Sequence, residues 1–293
     1  MSEAKAMRAA PAKKSSEFVR VMKQLSYNRM ATFGAVILLL EILLTIFAPV
    51  IAPYGYNKID IMSAYQGPSA AHWMGTDDMG RDILSRLLSG GRYSLSMGII
   101  AVIISLILGM AVGSIAGYFG GTVDNLIMRF LDIVQSLPGM VLIVVLSTML
   151  GPGYFNTILA LAINGIPGYA RMLRAQMLKV RENEYIEASQ SINCSKVRII
   201  VSHLIPNSFS PLIVSATMGV ASTIVSAAGL SFIGLGVQPP TPEWGTMLSS
   251  SRQFIRQCPH MVIFPGLAIA LTVLSLNLMG DGLRDALDPK LRR

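Results

Sequence analysis

The stretch "ENEYIEASQSINCSKVRIIVSHLIPN", residues 182–207, places charges, hydroxyls and amides between two long apolar segments. Of the 293 residues in the chain, 52% are hydrophobic and only 14% are charged. Because soluble domains carry roughly a quarter charged residues, this composition predicts a membrane protein. A chain adapted to lipid therefore keeps a polar insert near its middle, and the purpose of that insert is the main question.

Six apolar segments are long enough to cross a bilayer as helices, which takes roughly 20 residues. The first is longer than the apolar part of a secretory signal and is followed by further spans, so we predict that it is retained. The fold class predicted from this pattern is an all-α membrane protein with six transmembrane helices. The predicted spans are residues 30–52, 95–117, 126–150, 157–177, 210–235 and 261–279.

The distribution of Lys and Arg predicts the orientation of these spans. With the N-terminus inside, 18 of the 24 basic residues fall in cytoplasmic segments, as the positive-inside rule expects. Both termini and the polar insert at 182–207 are then cytoplasmic. The predicted organisation is a cytoplasmic segment at 1–29, a first span at 30–52, an external segment at 53–92, a core of five spans at 93–281 and a cytoplasmic tail at 282–293.

Several functional classes are not favoured by the sequence. The net charge is +8, but the basic residues lie between apolar spans and form no continuous basic face, which argues against nucleic-acid binding. The sequence contains no GxxxxGK[ST] phosphate loop. Its three histidines and two cysteines lack the spacing of metal ligands, and Cys194 and Cys258 are predicted on opposite sides of the membrane. We therefore predict a non-catalytic chain without its own metal or cofactor.

Polar and small residues within the spans allow two interpretations. Ser215, Gly219 and Thr223 are spaced four apart in the fifth span, so they either pack helices closely or line a polar pathway at a subunit interface. Glu41 lies in the middle of the first span, where a carboxylate is either a proton site or a hydrogen-bonded structural residue. Arg129 and Asp132 are three apart and are predicted to pair with each other.

The polar insert begins with a segment that has the pattern of a short amphipathic helix at 184–192. Asn193 follows it, and Asn tolerates the left-handed backbone conformation that ends many helices. A surface helix of this kind fits a groove on a cytosolic partner, and a solvated connecting helix is the alternative. The candidate docking residues are Glu184, Tyr185, Glu187, Ala188, Ser189, Ile192 and Asn193.

The order Glu187-Ala188-Ser189, Asn193 and then "HLIP" at 203–206 closely resembles the "EAA…G…I-LP" cytoplasmic loop of permease subunits in binding-protein-dependent ABC importers. Three further stretches are similar to the second, C-type permease of the oligopeptide, dipeptide and nickel group. Ser189 stands where that family has its second Ala, and Asn193 stands where it has Gly. The three stretches are "HWMGTDDMGRDILSRLLSGGRYSL" (72–95), "LSFIGLGVQPPTPEWGTML" (230–248) and "FPGLAIALTVLSLNLMGDGLRDALDPKLRR" (264–293).

The resemblance implies a type I ABC importer permease in a bacterial plasma membrane, with 182–207 as the coupling loop that contacts an ATPase. Its implied function is the pathway for di- and oligopeptides, and its implied partners are a second homologous permease, two cytosolic ATPases that bind ATP and Mg, an extracytoplasmic binding protein and membrane lipid. The external "GTDDMGRD" stretch at 75–82 is then a salt-linked cap or a contact for the binding protein. Uptake of nickel or a metal chelate is an alternative within the family, and an ion-coupled transporter using Glu41 is a more distant one.

Overall fold

The computed structural model describes residues 24–287 and is helical throughout its regular elements. The predicted N-terminal segment up to residue 23 and the tail from residue 288 lie outside the described residues. In chain order the helices are α1 (Arg29–Ile46), α2 (Ala48–Ile51), α3 (Ile83–Phe119), α4 (Gly121–Gln135), α5 (Gly139–Leu150), α6 (Tyr154–Arg181), α7 (Glu184–Ser191), α8 (Lys196–Ile199), α9 (Ile205–Ser208), α10 (Ser210–Phe232), α11 (Trp244–Ser251) and α12 (His260–Leu287).

The prediction of six continuous spans is not confirmed. Within residues 24–287, four helices (α1, α3, α10 and α12) are long and apolar enough to cross a membrane, and a fifth crossing results if α4 and α5 count as one broken span. The predicted fourth span lies in α6, a 28-residue helix whose C-terminal half carries Arg171 and Arg174. Because of these charges, α6 is not among the helices that are apolar enough over their length to cross a membrane.

The predicted third span, 126–150, is wrong as one straight helix. The chain bends by 83° between α4 and α5, and the break falls at 136–138. Pro138 lacks an N–H and disfavours helical geometry in the residue before it, which explains the position of the bend. The predicted Arg129–Asp132 pair is also wrong, since Asp132 Oδ1 lies 3.3 Å from Nη1 of Arg171 on α6.

The longest helix, α3, packs along α6 through a row of glycines. Gly109, Gly113 and Gly117 are four residues apart, and a methyl group on any of them would press against the α6 backbone or its Cβ atoms. Small residues at this spacing allow close helix packing where lipid gives no hydrophobic driving force. This pair is the central contact of the bundle, and it places the polar end of α6 beside the end of α3.

The first span packs against α12, and this contact accounts for Glu41. The hydroxyl of Thr272 donates to Glu41 Oε2 at 2.8 Å, so the carboxyl group has a partner on the neighbouring helix. The hydrogen bond that the structural interpretation of Glu41 predicts is present. Gly34 permits the close approach, because a side chain there would overlap the backbone of Ser275.

The "GTDDMGRD" stretch has the ion pairs of a salt-linked cap, the first of the two alternatives that the sequence offers. Arg81 Nε lies 2.7 Å from Asp77 Oδ2, and Arg86 Nε lies 3.4 Å from the same oxygen. Asp82 begins α3 by accepting from the Ser85 N–H at 2.8 Å and also contacts His72 Nδ1 at 2.9 Å. Burying these charges is tolerated because each is paired and hydrogen-bonded.

A second buried carboxylate, Glu243, joins this end of α3 to α11. It accepts from the N–H groups of Gly245 and Thr246, both at 2.8 Å, and from the Ser94 hydroxyl at 3.1 Å. The Trp244 indole N–H donates to the Leu87 carbonyl at 2.9 Å. Residues 72–95 and 230–248, two of the stretches that resemble the permease family, therefore pack against each other.

The orientation can be tested by cysteine labelling, because Met62 and Ile192 are 91% and 76% exposed and are predicted on opposite sides. After Cys194→Ser and Cys258→Ser, we expect an impermeant maleimide to label Met62→Cys in intact cells and Ile192→Cys only after permeabilisation. The physical reason is that the reagent cannot cross lipid. Labelling in the reverse order would contradict cytoplasmic placement of the polar insert.

Candidate functional site

The polar insert folds into helix α7 followed by a defined C-terminal turn. Glu184 and Glu187 lie in the first turn, where negative charge is favourable beside the positive end of the helix dipole. Asn193 has φ of +59°, so the prediction that it adopts the left-handed turn of the family glycine is confirmed. The Asn193 N–H donates to Gln190 O at 2.9 Å and the Cys194 N–H to Ser189 O at 3.1 Å, which is the Schellman arrangement.

One side chain fastens α7 to the membrane helices. Ile186 is 1% exposed and belongs to an apolar cluster that includes Leu173 and Met177 of α6 and Leu212 of α10. Burying an isoleucine contributes about 1.5–3 kcal/mol, so α7 is held on the bundle. The candidate residues predicted from the sequence do not include Ile186, although it is the only branched aliphatic residue in Glu184–Ser191.

The predicted docking face remains open in the chain. Tyr185 and Ile192 are 42% and 76% exposed, and Ala188 is exposed as well. Ser189 is half-buried, and its hydroxyl donates to the Tyr185 carbonyl at 2.7 Å. Because Ile186 is buried, the predicted docking face of α7 points outward and carries short or apolar side chains. Helices that bind in a groove of a partner have a face of this kind.

Glu187 lines a polar cleft of about 510 Å³ between α7 and the ends of α3 and α6. Asp124 of α4 and Arg174 of α6 form a two-pronged ion pair at this cleft. Arg181 Nη1 donates to the Tyr118 carbonyl at the end of α3, at 3.2 Å. Directional polar contacts therefore join α3, α4 and α6 at this cleft, and Glu187 of α7 lines it.

The three predicted pathway residues lie on one face of α10 but do not share one cavity. Ser215 lines an apolar groove of about 500 Å³ with Met172, Met218 and Arg284. Gly219 and Thr223 line a separate cavity of about 130 Å³ between α3, α5, α6 and α10. Gly219 packs directly under the Tyr169 hydroxyl, so close packing and a polar lining coexist on this helix.

No group of three or more His, Cys, Asp or Glu side chains within residues 24–287 has the geometry of a metal site. Cys194 and Cys258 are both free thiols, half-buried and buried respectively.

The turn at Asn193 gives a direct stability test. Asn193→Gly is expected to keep the Schellman hydrogen bonds and to slow amide exchange across 184–195, because Gly reaches positive φ without steric cost. Asn193→Val is expected to cost about 1–2 kcal/mol locally and to speed exchange roughly five- to thirtyfold. Hydrogen–deuterium exchange measures both, with amides in α3 as the internal control. Equal exchange in the two variants would contradict the importance of the left-handed turn.

Comparison with known proteins places the chain in a family. The family described as "Binding-protein-dependent transport system inner membrane component" matches residues 109–293, and "N-terminal TM domain of oligopeptide transport permease C" matches residues 16–68. The dipeptide transport system permease protein DppC of Alkalihalophilus pseudofirmus is 46% identical over 277 residues, covering 94% of this chain and 91% of that protein. The di/tripeptide permease DppC of Pseudomonas aeruginosa is 44% identical, covering 91% and 90%.

The glutathione transport system permease protein GsiD of Escherichia coli is 46% identical over 266 residues, covering 90% of this chain and 88% of that protein. Among solved structures, the MetNI methionine ABC transporter in an inward-facing conformation aligns with a TM-score of 0.55 and 20% identity, covering 69% of this chain and 97% of the other. That likeness concerns the fold alone. By sequence, the chain belongs to the family of inner membrane components of binding-protein-dependent transport systems.

Proposed function

We propose that this chain is the C-type permease subunit of an ATP-driven importer of di- and oligopeptides. The observation that carries the proposal is α7, a short helix with an exposed docking face whose single buried side chain, Ile186, is packed among residues of α6 and α10. Such a helix can transmit a movement of a cytosolic partner to the membrane helices. The names of the relatives, which are dipeptide, di/tripeptide and glutathione permeases, support peptides as the cargo.

The proposed assembly contains a second homologous permease, two cytosolic ATPases and an extracytoplasmic binding protein. ATP and Mg bind to the ATPases, and this chain is not catalytic. It lies in the bacterial plasma membrane with six crossings, counting the bent α4–α5 pair as the third and α6 as the fourth, and with both termini cytoplasmic. The charges of the inner half of α6 are compatible with a crossing because Arg171 and Arg174 pair with Asp132 and Asp124.

Within α7, two regions have distinct roles in this proposal. Tyr185, Ala188, Ser189 and Ile192 form the surface that enters the ATPase cleft, and small side chains there allow close contact over a small area. Glu184, Glu187 and Asn193 fix the beginning, the cleft side and the end of the helix. The motion then passes through Ile186 to α6 and α10.

Charge reversal at Glu187 tests the coupling role. Glu187→Lys is expected to insert normally in the membrane but to reduce recovery of the ATPases and peptide uptake at least fivefold, because a cation replaces the carboxylate at a cleft already holding Arg174 and Arg181. Co-purification and uptake of a radiolabelled dipeptide measure the two effects.

The matched control is Asp281→Lys, the same charge change at an exposed residue near the other end of the chain. It is expected to leave both measurements near wild type. Normal uptake by Glu187→Lys would show that the carboxylate has no part in coupling. Full uptake by the purified chain without ATPases would contradict the proposed function itself.

A further inference from the structure

The cavity of about 130 Å³ between α3, α5, α6 and α10 has an unusual lining for the interior of a membrane protein. It contains polar groups from three of these helices, Ser105 of α3, Asn164 and Tyr169 of α6, and Thr223 and Ser226 of α10, and none of its lining residues is charged. Its volume admits several water molecules or one peptide group, and it is too small for a whole dipeptide.

The hydroxyls of this cavity fall into two groups. Those of Ser105, Ser222 and Ser226 are already used within the fold: Ser105 donates to Ala162 O at 2.8 Å, Ser222 to Gly219 O at 3.0 Å and Ser226 to Ser222 O at 2.9 Å. The side chains of Asn164, Tyr169 and Thr223 make no hydrogen bond to any residue in the described range 24–287. They are the available donors and acceptors of the cavity.

Tyr169 is the most informative of the three. The residue is 8% exposed and lines the cavity, and its hydroxyl makes no hydrogen bond to any of the described residues, so it can donate to or accept from a molecule in the cavity. Gly219 creates the space for that hydroxyl, because a methyl group at this position would overlap it. The lack of a side chain at Gly219 of α10 therefore leaves room for the phenol of Tyr169 in the cavity.

The cavity is also accessible from the surface of α10. Ser222 lies at its edge and is exposed, and it is on the helix whose Gly219 and Thr223 are the predicted pathway residues. A molecule passing along this face of α10 would meet Tyr169, Asn164 and Thr223 together.

We propose that this cavity is a binding site for a peptide group of the cargo, with Tyr169, Asn164 and Thr223 hydrogen-bonding to its N–H and C=O. The inference rests on the proposed import of peptides and adds the chemistry of recognition. Neutral donors and acceptors suit a backbone amide, which is the same in every peptide, and they place no demand on the charge of the side chains. Such a site favours peptides without selecting their sequence.

The test uses the complete transporter, with its second permease, ATPases and binding protein, in proteoliposomes. The probes are a dipeptide and the ester analogue in which oxygen replaces the peptide N–H. The variants are Tyr169→Phe and Thr223→Val, which keep side-chain shape. Thr217→Val is the matched control, because Thr217 is also on α10, its hydroxyl donates to the Ile213 carbonyl at 3.0 Å, and it does not line the cavity. Uptake is expressed relative to wild type for each probe, so that any preference of the binding protein cancels.

We expect Tyr169→Phe and Thr223→Val each to lower dipeptide uptake roughly three- to tenfold, the effect of one lost hydrogen bond. The ester analogue should lose less, since it lacks the N–H and has a weaker carbonyl acceptor. ATP hydrolysis stimulated by the loaded binding protein, and both activities of Thr217→Val, should remain near wild type.

Two results would overturn the inference while leaving the proposed function intact. One is wild-type dipeptide uptake by both Tyr169→Phe and Thr223→Val. The other is an equal loss for dipeptide and ester, which would indicate a purely structural effect on α6 and α10. Failure of the wild-type transporter to import any dipeptide would instead overturn the proposed function, and the inference with it.

Discussion

The burial of Ile186 is the contact on which the proposed mechanism depends. A polar segment of eight residues, Glu184–Ser191, has little apolar surface of its own, and isolated helices of this length are unstable in water. Packing of Ile186 against Leu173, Met177 and Leu212 gives α7 a fixed position on the bundle. Its outward face is then presented at a constant angle, which a helix on a free loop could not provide.

Ion pairs join α4 to α6 at the same end of the molecule. Asp124 and Asp132 of α4 pair with Arg174 and Arg171 of α6, and the two-pronged geometry of the Asp124–Arg174 pair gives orientation as well as energy. These contacts hold α4 against α6 just before the 83° bend into α5. Glu187 of α7 lines the cleft beside the Asp124–Arg174 pair, so in the proposed mechanism a movement of α7 changes the surroundings of α4 and α6 together.

The opposite end of α3 is stabilised by a different device. Asp77, Asp82 and Glu243 are buried carboxylates, each satisfied by arginines, hydroxyls or helix N–H groups. Because removing one partner would leave a buried charge uncompensated, the stretches at 72–95 and 230–248 are held to each other at this end of α3. Both ends of the bundle are joined by paired charges, and the uncharged cavity around Tyr169 lies between them.

Particular residues show how far sequence reasoning reached. The amphipathic pattern located α7 to within one residue, and the tolerance of Asn for positive φ predicted the turn at Asn193. The same kind of argument failed at 126–150, where hydropathy alone did not register the helix-breaking effect of Pro138. It also paired Asp132 with its neighbour in sequence, because the approach of Arg171 from α6 is a property of the folded bundle.

The sequence by itself determined the membrane class, the polar insert, the end of its short helix at Asn193, and the family. These follow from composition, local periodicity and residue order. Only the tertiary structure decided which side chains meet across helices: Ile186 with the α6–α10 cluster, Thr272 with Glu41, and Tyr169 over Gly219. The physical reason is that local conformation depends on neighbours within a few residues. Close packing and the pairing of buried polar groups depend on residues distant in sequence, such as Asp124 and Arg174, which are 50 positions apart, and Glu41 and Thr272, which are 231 apart.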